Sequence, residues 1–408
     1  MSPKTSSPSS SRKIAKSIIE IWQWGGPSQL ETFDPKPDAP RDYNNGLKSI
    51  KTNAGFYVHE WLPELAKCAD LYSVVRTLTH PYGGHEKATY LMQTGHVPGI
   101  EPITYPALGA IVSSMKKKDY QGELAPFVIL TQAKGRFSEV GFLGDAYAPL
   151  VTGGNPNANV FEVDGIVPPG GLSLDKINQR FERALKFDHL RLPKNAAFDL
   201  AGEQARAIIC GKAAETFDLS RESKEMRERY GRTIIGQQLL AARRLVEYGI
   251  PYISINYNGW DSHKRHFETM KKPTAEMDQA VSALLLDLKE KNLLDTTLVW
   301  MCGEFGRVPK IDRQPPWNGG RNHFPRCYSA LVAGGGFKGG CVVGESDATT
   351  DHVKERPVTP IEFLGSICEL AGIDPEGHLP NPKGLRLNVM PLPTGEKAGH
   401  GRLKEIYA

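Results

Sequence analysis

Short, dense apolar runs and helical stripes of apolar residues follow one another in turn along this chain, and the clearest unit spans residues 250–307. Tyr252-Ile253-Ser254-Ile255 is β-rich and alternating, as a strand requires. It runs into the turn-forming cluster Asn256-Tyr257-Asn258-Gly259, which delivers Trp260-Asp261-Ser262-His263. Pro273 then opens a predicted helix, since proline suits the first helical position. Met277, Val281, Leu284 and Leu288 give that helix one buried face. Asp295-Thr296 breaks the pattern. The run from Thr297 to Cys302 is almost wholly apolar, as a buried parallel strand would be, and it ends on Gly303-Glu304-Phe305-Gly306-Arg307. The unit is β-α-β, and each strand finishes in a loop carrying an acid. Ligands of open α/β sheets bind at those carboxyl ends.

The rest of the chain repeats the alternation. A central strand is predicted from Ser17 to Trp24, ending in Gly25-Gly26-Pro27-Ser28, and a second strand from Leu71 to Leu78. The second leads through Thr79-His80-Pro81-Tyr82-Gly83-Gly84-His85 into a helix that ends at Thr94-Gly95. Another helix starts at Tyr105-Pro106, and a short strand covers Pro126 to Leu130. Tyr328 to Ala333 and Cys341 to Val343 read as two strands of a hairpin joined by a glycine-rich run. A phosphate loop is rejected there because no Gly-Lys-Ser/Thr follows. Thr359-Pro360-Ile361-Glu362 is a capping box opening a helix to Leu370. The expected fold is α/β, a mostly parallel sheet with helices on both faces. One domain is expected over 14–408, with a loop and helical insertion at about 141–248, where Gly, Pro and Asn give way to charged helix. Residues 1–13, rich in Ser and Pro, read as a disordered tail.

Composition narrows the function classes. The 40% hydrophobic and 24% charged content is that of an ordinary globular protein. A net charge of +4 over 408 residues, with no basic helix or arm, implies no nucleic-acid partner. The six cysteines lack CxxC spacing and read as buried thiols, not as a disulfide framework or a zinc site. No run reaches the length of a membrane span. The apolar run from Ile18 to Trp24 is short, contains Glu20 and lacks a cleavage site, so the chain as written is expected in the cytoplasm. Only Arg12-Lys13 stands near the start; a twin-arginine leader from an earlier start would send the protein to the periplasm instead.

Three loops hold the side chains that could carry chemistry. Asp261 and His263, two residues apart, suit zinc or another divalent metal, with His266 as the reserve ligand. Glu304 stands at a strand end, and Gly319-Gly320-Arg321-Asn322-His323 presents one histidine between polar neighbours. Arg307 and Arg321 flank these groups and could hold an anionic ester through paired hydrogen bonds. The arginines read equally well as members of salt bridges.

The phrases WGGPSQLETFDPKPDAP, HEKATYLMQTGHVPG, WDSH, GEFGR, GGRNHFPRCYSALVAGGG and GRLKEIYA span nearly the whole chain. On these the chain resembles the alkaline phosphatase/sulfatase superfamily, within a bacterial branch known mainly as a domain of unknown function and often labelled sulfatase-like. The resemblance implies that Asp261, His263 and His323 are ligands of one metal site. It places Glu304 and Phe305 on the Asp-His pair of a second, which Phe305 cannot complete. The first strand ends on Gly25-Gly26 where the superfamily has an aspartate, leaving Glu31 or Asp34 as possible substitutes. The nucleophile segment falls on His85-Glu86-Lys87-Ala88-Thr89, which has no Cys, Ser, Pro or Arg, so formylglycine chemistry is not expected. His85 takes the slot and suits a nucleophile, a metal ligand or a general base; Ser28 and Thr89 are the alternative nucleophiles. The function implied is a metal-dependent hydrolase of phosphate or sulfate esters, using zinc or else calcium or manganese. Its substrate would be a small anionic ester or a sulfated or phosphorylated glycan. The competing reading is a non-catalytic anion- or glycan-binding protein on the same fold.

Overall fold

Every residue of the strand Ser17–Gln23 (β1) is buried, because helices cover both faces of the sheet it centres. Its side chains alternate: Ile19 and Ile21 enter one apolar core, Ile18 and Trp22 the other. This is seen in a computed structural model that describes residues 14–97, 99, 103–133, 139–158, 160–163, 165–166, 176–180, 182–183, 208–209, 211–381, 384–391 and 401–408. The tail expected to be disordered, 1–13, lies outside the described residues, as does much of 167–210.

The remaining strands of the main sheet are Tyr72–Leu78 (β2), Phe127–Leu130 (β3), Leu150–Val151 (β4), Tyr252–Tyr257 (β5), Thr297–Cys302 (β6), Tyr328–Ala333 (β7) and Val342–Val343 (β8). Their order is β8-β2-β7-β6-β1-β5-β3-β4. Only β7 runs against its neighbours, so the sheet is mostly parallel, as its buried apolar strands imply. One face is covered by Ile234–Tyr248 and His266–Glu290, through Leu239, Leu245, Met277, Leu284 and Leu288. The other is covered by His85–Thr94 (α1), Leu108–Lys116 and Pro360–Leu370, through Met92, Leu108, Ile111, Phe363 and Ile367. Each such side chain contributes roughly 1.5–3 kcal/mol by leaving water. The stretch expected as an insertion supplies the edge strand β4 and, with Ile234–Tyr248, part of a covering layer.

Two local expectations are corrected. The helix expected to open at Pro273 begins seven residues earlier, at His266, with Pro273 inside it. Its first turn is held from outside the helix: Arg265 takes a left-handed conformation with φ 46°, and the amides of Arg265 and His266 donate to the carbonyls of Trp317 and Gly319. Pro273 removes only one helical donor, which these tertiary anchors outweigh. The expected hairpin does not form either. β7 and β8 lie on opposite sides of β2, and the glycine run 334–340 carries the chain across the end of that strand. The capping box at Thr359 and Glu362 is present. Among the described cysteines all five are free; Cys341 is half-buried and the others buried, and Cys210 lies outside the described residues.

Candidate metal centre

The sheet topology brings five loops to one edge. β1, β2, β5 and β6 are mutually parallel and deliver the segments following them to the same end. The reversed strand β7 delivers there the segment that precedes it, so the loop bearing His323 meets those bearing His85, Asp261 and Glu304. Gly306–Arg307 and His323–Phe324 pair as a small antiparallel ribbon. Gly25, with φ 107°, allows close approach: a Cβ there would run into the backbone nitrogen of Asp261. The Gly25 amide instead donates to both carboxylate oxygens of Glu304, at 3.0 and 3.2 Å.

Asp261 lies at the middle. Its Oδ1 is 3.0 Å from His263 Nε2 and 3.1 Å from His323 Nε2, and its Oδ2 is 3.4 Å from His85 Nε2. His263 Nε2 and His323 Nε2 are themselves 3.0 Å apart. The far nitrogen of each ring meets an acceptor. His85 Nδ1 lies 2.6 Å from Glu304 Oε1, His263 Nδ1 2.8 Å from Asn322 Oδ1, and His323 Nδ1 2.8 Å from the Gly83 carbonyl. A carboxylate and a carbonyl only accept, so the outer nitrogens carry protons and the three Nε2 atoms face inward on Asp261. Histidines that hold a metal are oriented through their second nitrogen in this way. Phe305, fully buried, stacks under His323 with centroids 4.3 Å apart, and Trp24 stacks on His85 at 5.9 Å.

The electrostatics follow from this packing. Hydrogen bonds to Asp261 and then Glu304 raise the pKa of His85 to about 9, against the opposing effect of burial. Burial alone would raise that of Asp261, but hydrogen bonds from His323, His85 and Arg307 outweigh it and hold the carboxyl well below its usual range. Burial pushes His80 down to about 4; its Nε2 lies 2.7 Å from the Glu304 carbonyl, so it stays neutral and braces that residue.

The residues singled out in the sequence divide between the cleft and the layer beneath it. His85, read first as a possible nucleophile, Asp261 and His323 have ligand atoms all within 4.8 Å of one another, and His263 adjoins Asp261 and His323 at 3.0 Å. Glu304 lies behind His85 rather than beside Asp261, fully buried and bonded to Gly25. His266, the reserve ligand, is also beneath, 2.6 Å from Ser262 Oγ and 3.0 Å from Glu31 Oε2. Neither Glu31 nor Asp34 replaces the missing aspartate of the first strand. Glu31 pairs with Arg321 and His266, and Asp34 with Ser346, Lys36 and Arg76. Arg307 and Arg321 are buried. Arg307 binds Asp261 Oδ1 at 2.6 Å and the carbonyls of Gly25, Gly26 and Trp260; Arg321 binds Glu31 and the carbonyls of Val308, Pro309 and Tyr43. A grip on an anionic ester does not follow from that placement, since both guanidinium groups are occupied in holding loops together. Ser28 and Thr89 are buried too. Sequence reasoning passed over Asn322 and the Gly83 carbonyl, although both adjoin residues it had singled out.

The fold and the cluster together define an α/β protein with a histidine- and aspartate-lined centre at the carboxyl edge of its sheet. The chain belongs to the family described as "Protein of unknown function (DUF1501)", which matches residues 15–392. No curated protein matches it. Among solved structures it is similar to the 2-O GAG sulfatase BT1596, at 10% identity and a TM-score of 0.43, over 91% of this chain and 73% of that one. It is similar to the phosphonate monoester hydrolase SpPMH from Silicibacter pomeroyi, at 11% identity and a TM-score of 0.38, over 88% and 74% of the two chains. A protein in the alkaline phosphatase superfamily from Vibrio parahaemolyticus is similar at 11% identity and a TM-score of 0.35, over 88% and 69%. Among the described residues no helix is long and apolar enough to cross a membrane.

Proposed function

We propose that this chain is a metal-dependent hydrolase of phosphate or sulfate esters, with one divalent ion held by His85, His263, His323 and Asp261. The observation that carries the reading is the convergence of three imidazole Nε2 atoms on one carboxylate, each ring fixed from behind by an acceptor. Two imidazole Nε2 atoms 3.0 Å apart need a proton or a metal ion between them, and a metal ion would take the place of the protons at this point. Ligand atoms of His85, Asp261 and His323 all lie within 4.8 Å of one another, and His263 Nε2 adjoins that group, 3.0 Å from both Asp261 Oδ1 and His323 Nε2; ligands about 2.0–2.1 Å from a tetrahedral ion stand about 3.3 Å from one another. Three nitrogens and one oxygen favour zinc; calcium prefers six to eight oxygens.

When bound, such an ion polarises an ester oxygen and lowers the pKa of a water nucleophile. The chain's own residues orient and attract. Glu304, Asn322 and the Gly83 carbonyl fix the rings, and Arg307 fixes Asp261. His85 is the first residue of α1, so the positive end of that helix borders the cluster and favours an anionic ester there. The substrate class is a small phosphate or sulfate ester, alone or on a glycan.

Metal analysis of protein purified without chelator, coupled to a screen of phosphate and sulfate monoesters and diesters, tests the reading. Bound metal with metal-dependent turnover supports it. One observation favours a non-catalytic anion- or glycan-binding protein instead: Ser28 and Thr89, the alternative nucleophiles to His85, are buried. Anion or glycan binding without turnover of any ester would decide for that alternative.

A further inference from the structure

Beneath the cluster, one carboxylate is linked to both loops that carry the candidate ligands, directly to one and through His266 to the other. Glu31 is 2% exposed, in the loop that follows β1. Its Oε2 lies 3.0 Å from His266 Nε2, and His266 Nδ1 lies 2.6 Å from the hydroxyl of Ser262, which stands between Asp261 and His263. Its Oε1 accepts from Arg321 at 2.8 Å. Arg321 in turn precedes Asn322, the acceptor for His263, and His323. The proton positions are consistent along the relay. An ionised Glu31 only accepts, so His266 carries its proton on Nε2 and its Nδ1 accepts from the Ser262 hydroxyl.

A serine, a histidine and an acid in this order have the spacing of a catalytic relay. Here, however, the Ser262 hydroxyl is turned toward His266, which is itself only 1% exposed, so it does not face a substrate. The relay ends on the backbone between two ligands. We propose that Glu31 is the positioning residue of the centre: one oxygen sets the 261–263 segment and the other the 321–323 segment, and their separation fixes the affinity and coordination geometry of the ion. The inference rests on the metal reading above.

The test measures metal affinity by chelator competition, the visible spectrum of the Co(II)-loaded chain, and the unfolding of the metal-free chain. Partners behind metal-binding histidines are worth about 10–100-fold in affinity. Glu31→Gln should weaken binding about 100-fold and shift the Co(II) bands. Ser262→Ala, which breaks only the His266 arm and buries no unpaired charge, should weaken it about 10-fold, with a loss of metal-free stability smaller than that of Glu31→Gln, from the His266 Nδ1 left without a donor. A purely architectural role would lower the stability of the metal-free protein and leave affinity and spectrum unchanged. Wild-type affinity and spectrum in Ser262→Ala overturn the inference, even if Glu31→Gln does not fold. A wild-type chain that takes up no ion overturns the metal reading itself, and this inference with it.

Discussion

Two buried glutamates eleven residues apart behave in opposite ways. Glu20 lies mid-strand in β1, where Gln93 Nε2 and Tyr252 Oη donate to it at 2.6 and 2.9 Å. Burial dominates, and its pKa rises to about 7 despite the bonds from Gln93, Ser254 and Tyr252. Glu31 lies just past the strand end. Burial would raise it too, but Arg321 and His266 outweigh that and hold it well below the usual carboxylate range. The first acid is surrounded by neutral donors and needs only a proton to be satisfied. The second holds cationic and polar groups in place around Asp261, where three imidazole nitrogens still face one point. A polar cluster that closes on itself belongs to the core. One whose ring nitrogens converge on a half-exposed carboxylate is a candidate binding site.

The largest effect should come from breaking the charged cluster. Arg321→Met leaves Glu31 buried without its cation, and removing one partner of a buried pair costs about 3–5 kcal/mol. Urea unfolding reads the loss; a change within error of zero would show that Glu31 does not depend on the pair. Glu20 gives the opposite signature. A carboxyl whose folded pKa is raised from 4.5 to about 7 stabilises fully below pH 4.5, and that contribution disappears as pH rises through about 7. The total is about 3 kcal/mol. Glu20→Gln should flatten the profile between those limits, and a parallel profile in the two proteins would contradict the assignment.

Metal should stabilise the strand-end cluster alone. At about 100 times the dissociation constant, bound ion adds about 2.7 kcal/mol, so chelation should lower the melting temperature of wild type. Glu20→Gln should respond to chelator equally, since its cluster takes no part. The smallest change concerns Asn322. Asn322→Ala removes the acceptor behind His263 and should cost about tenfold in metal affinity, read by competition with a chromophoric chelator. An undiminished affinity would leave Asn322 without a role at the site.

The strands of the sheet's centre could be read from the chain because they are buried on both faces and therefore apolar along their whole length, as in 17–23 and 297–302. Strand partners could not. Nothing local in Cys341-Val342-Val343 shows that it pairs with β2 rather than β7, since both pairings satisfy the same short apolar run. The start of the helix at His266 was hidden for a similar reason: its first amides are satisfied by a loop fifty residues away. At the site, Asp261, His263 and His323 stood out by residue type and by their position at strand ends. The exchange between His85 and Glu304 did not, because either can ligate a metal and only packing decides which faces Asp261. Arg307 and Arg321 stayed open between two readings because a guanidinium in such a loop looks the same in sequence whether it faces a substrate or the backbone.

Metal stoichiometry of the wild-type chain and of His85→Ala and His323→Ala, after saturation with zinc and removal of the excess, tests the central claim most directly. About one ion per chain should bind to wild type. Both variants should lose most of it while keeping wild-type far-ultraviolet circular dichroism. No ion in wild type, or an unchanged ratio in both variants, would contradict the account.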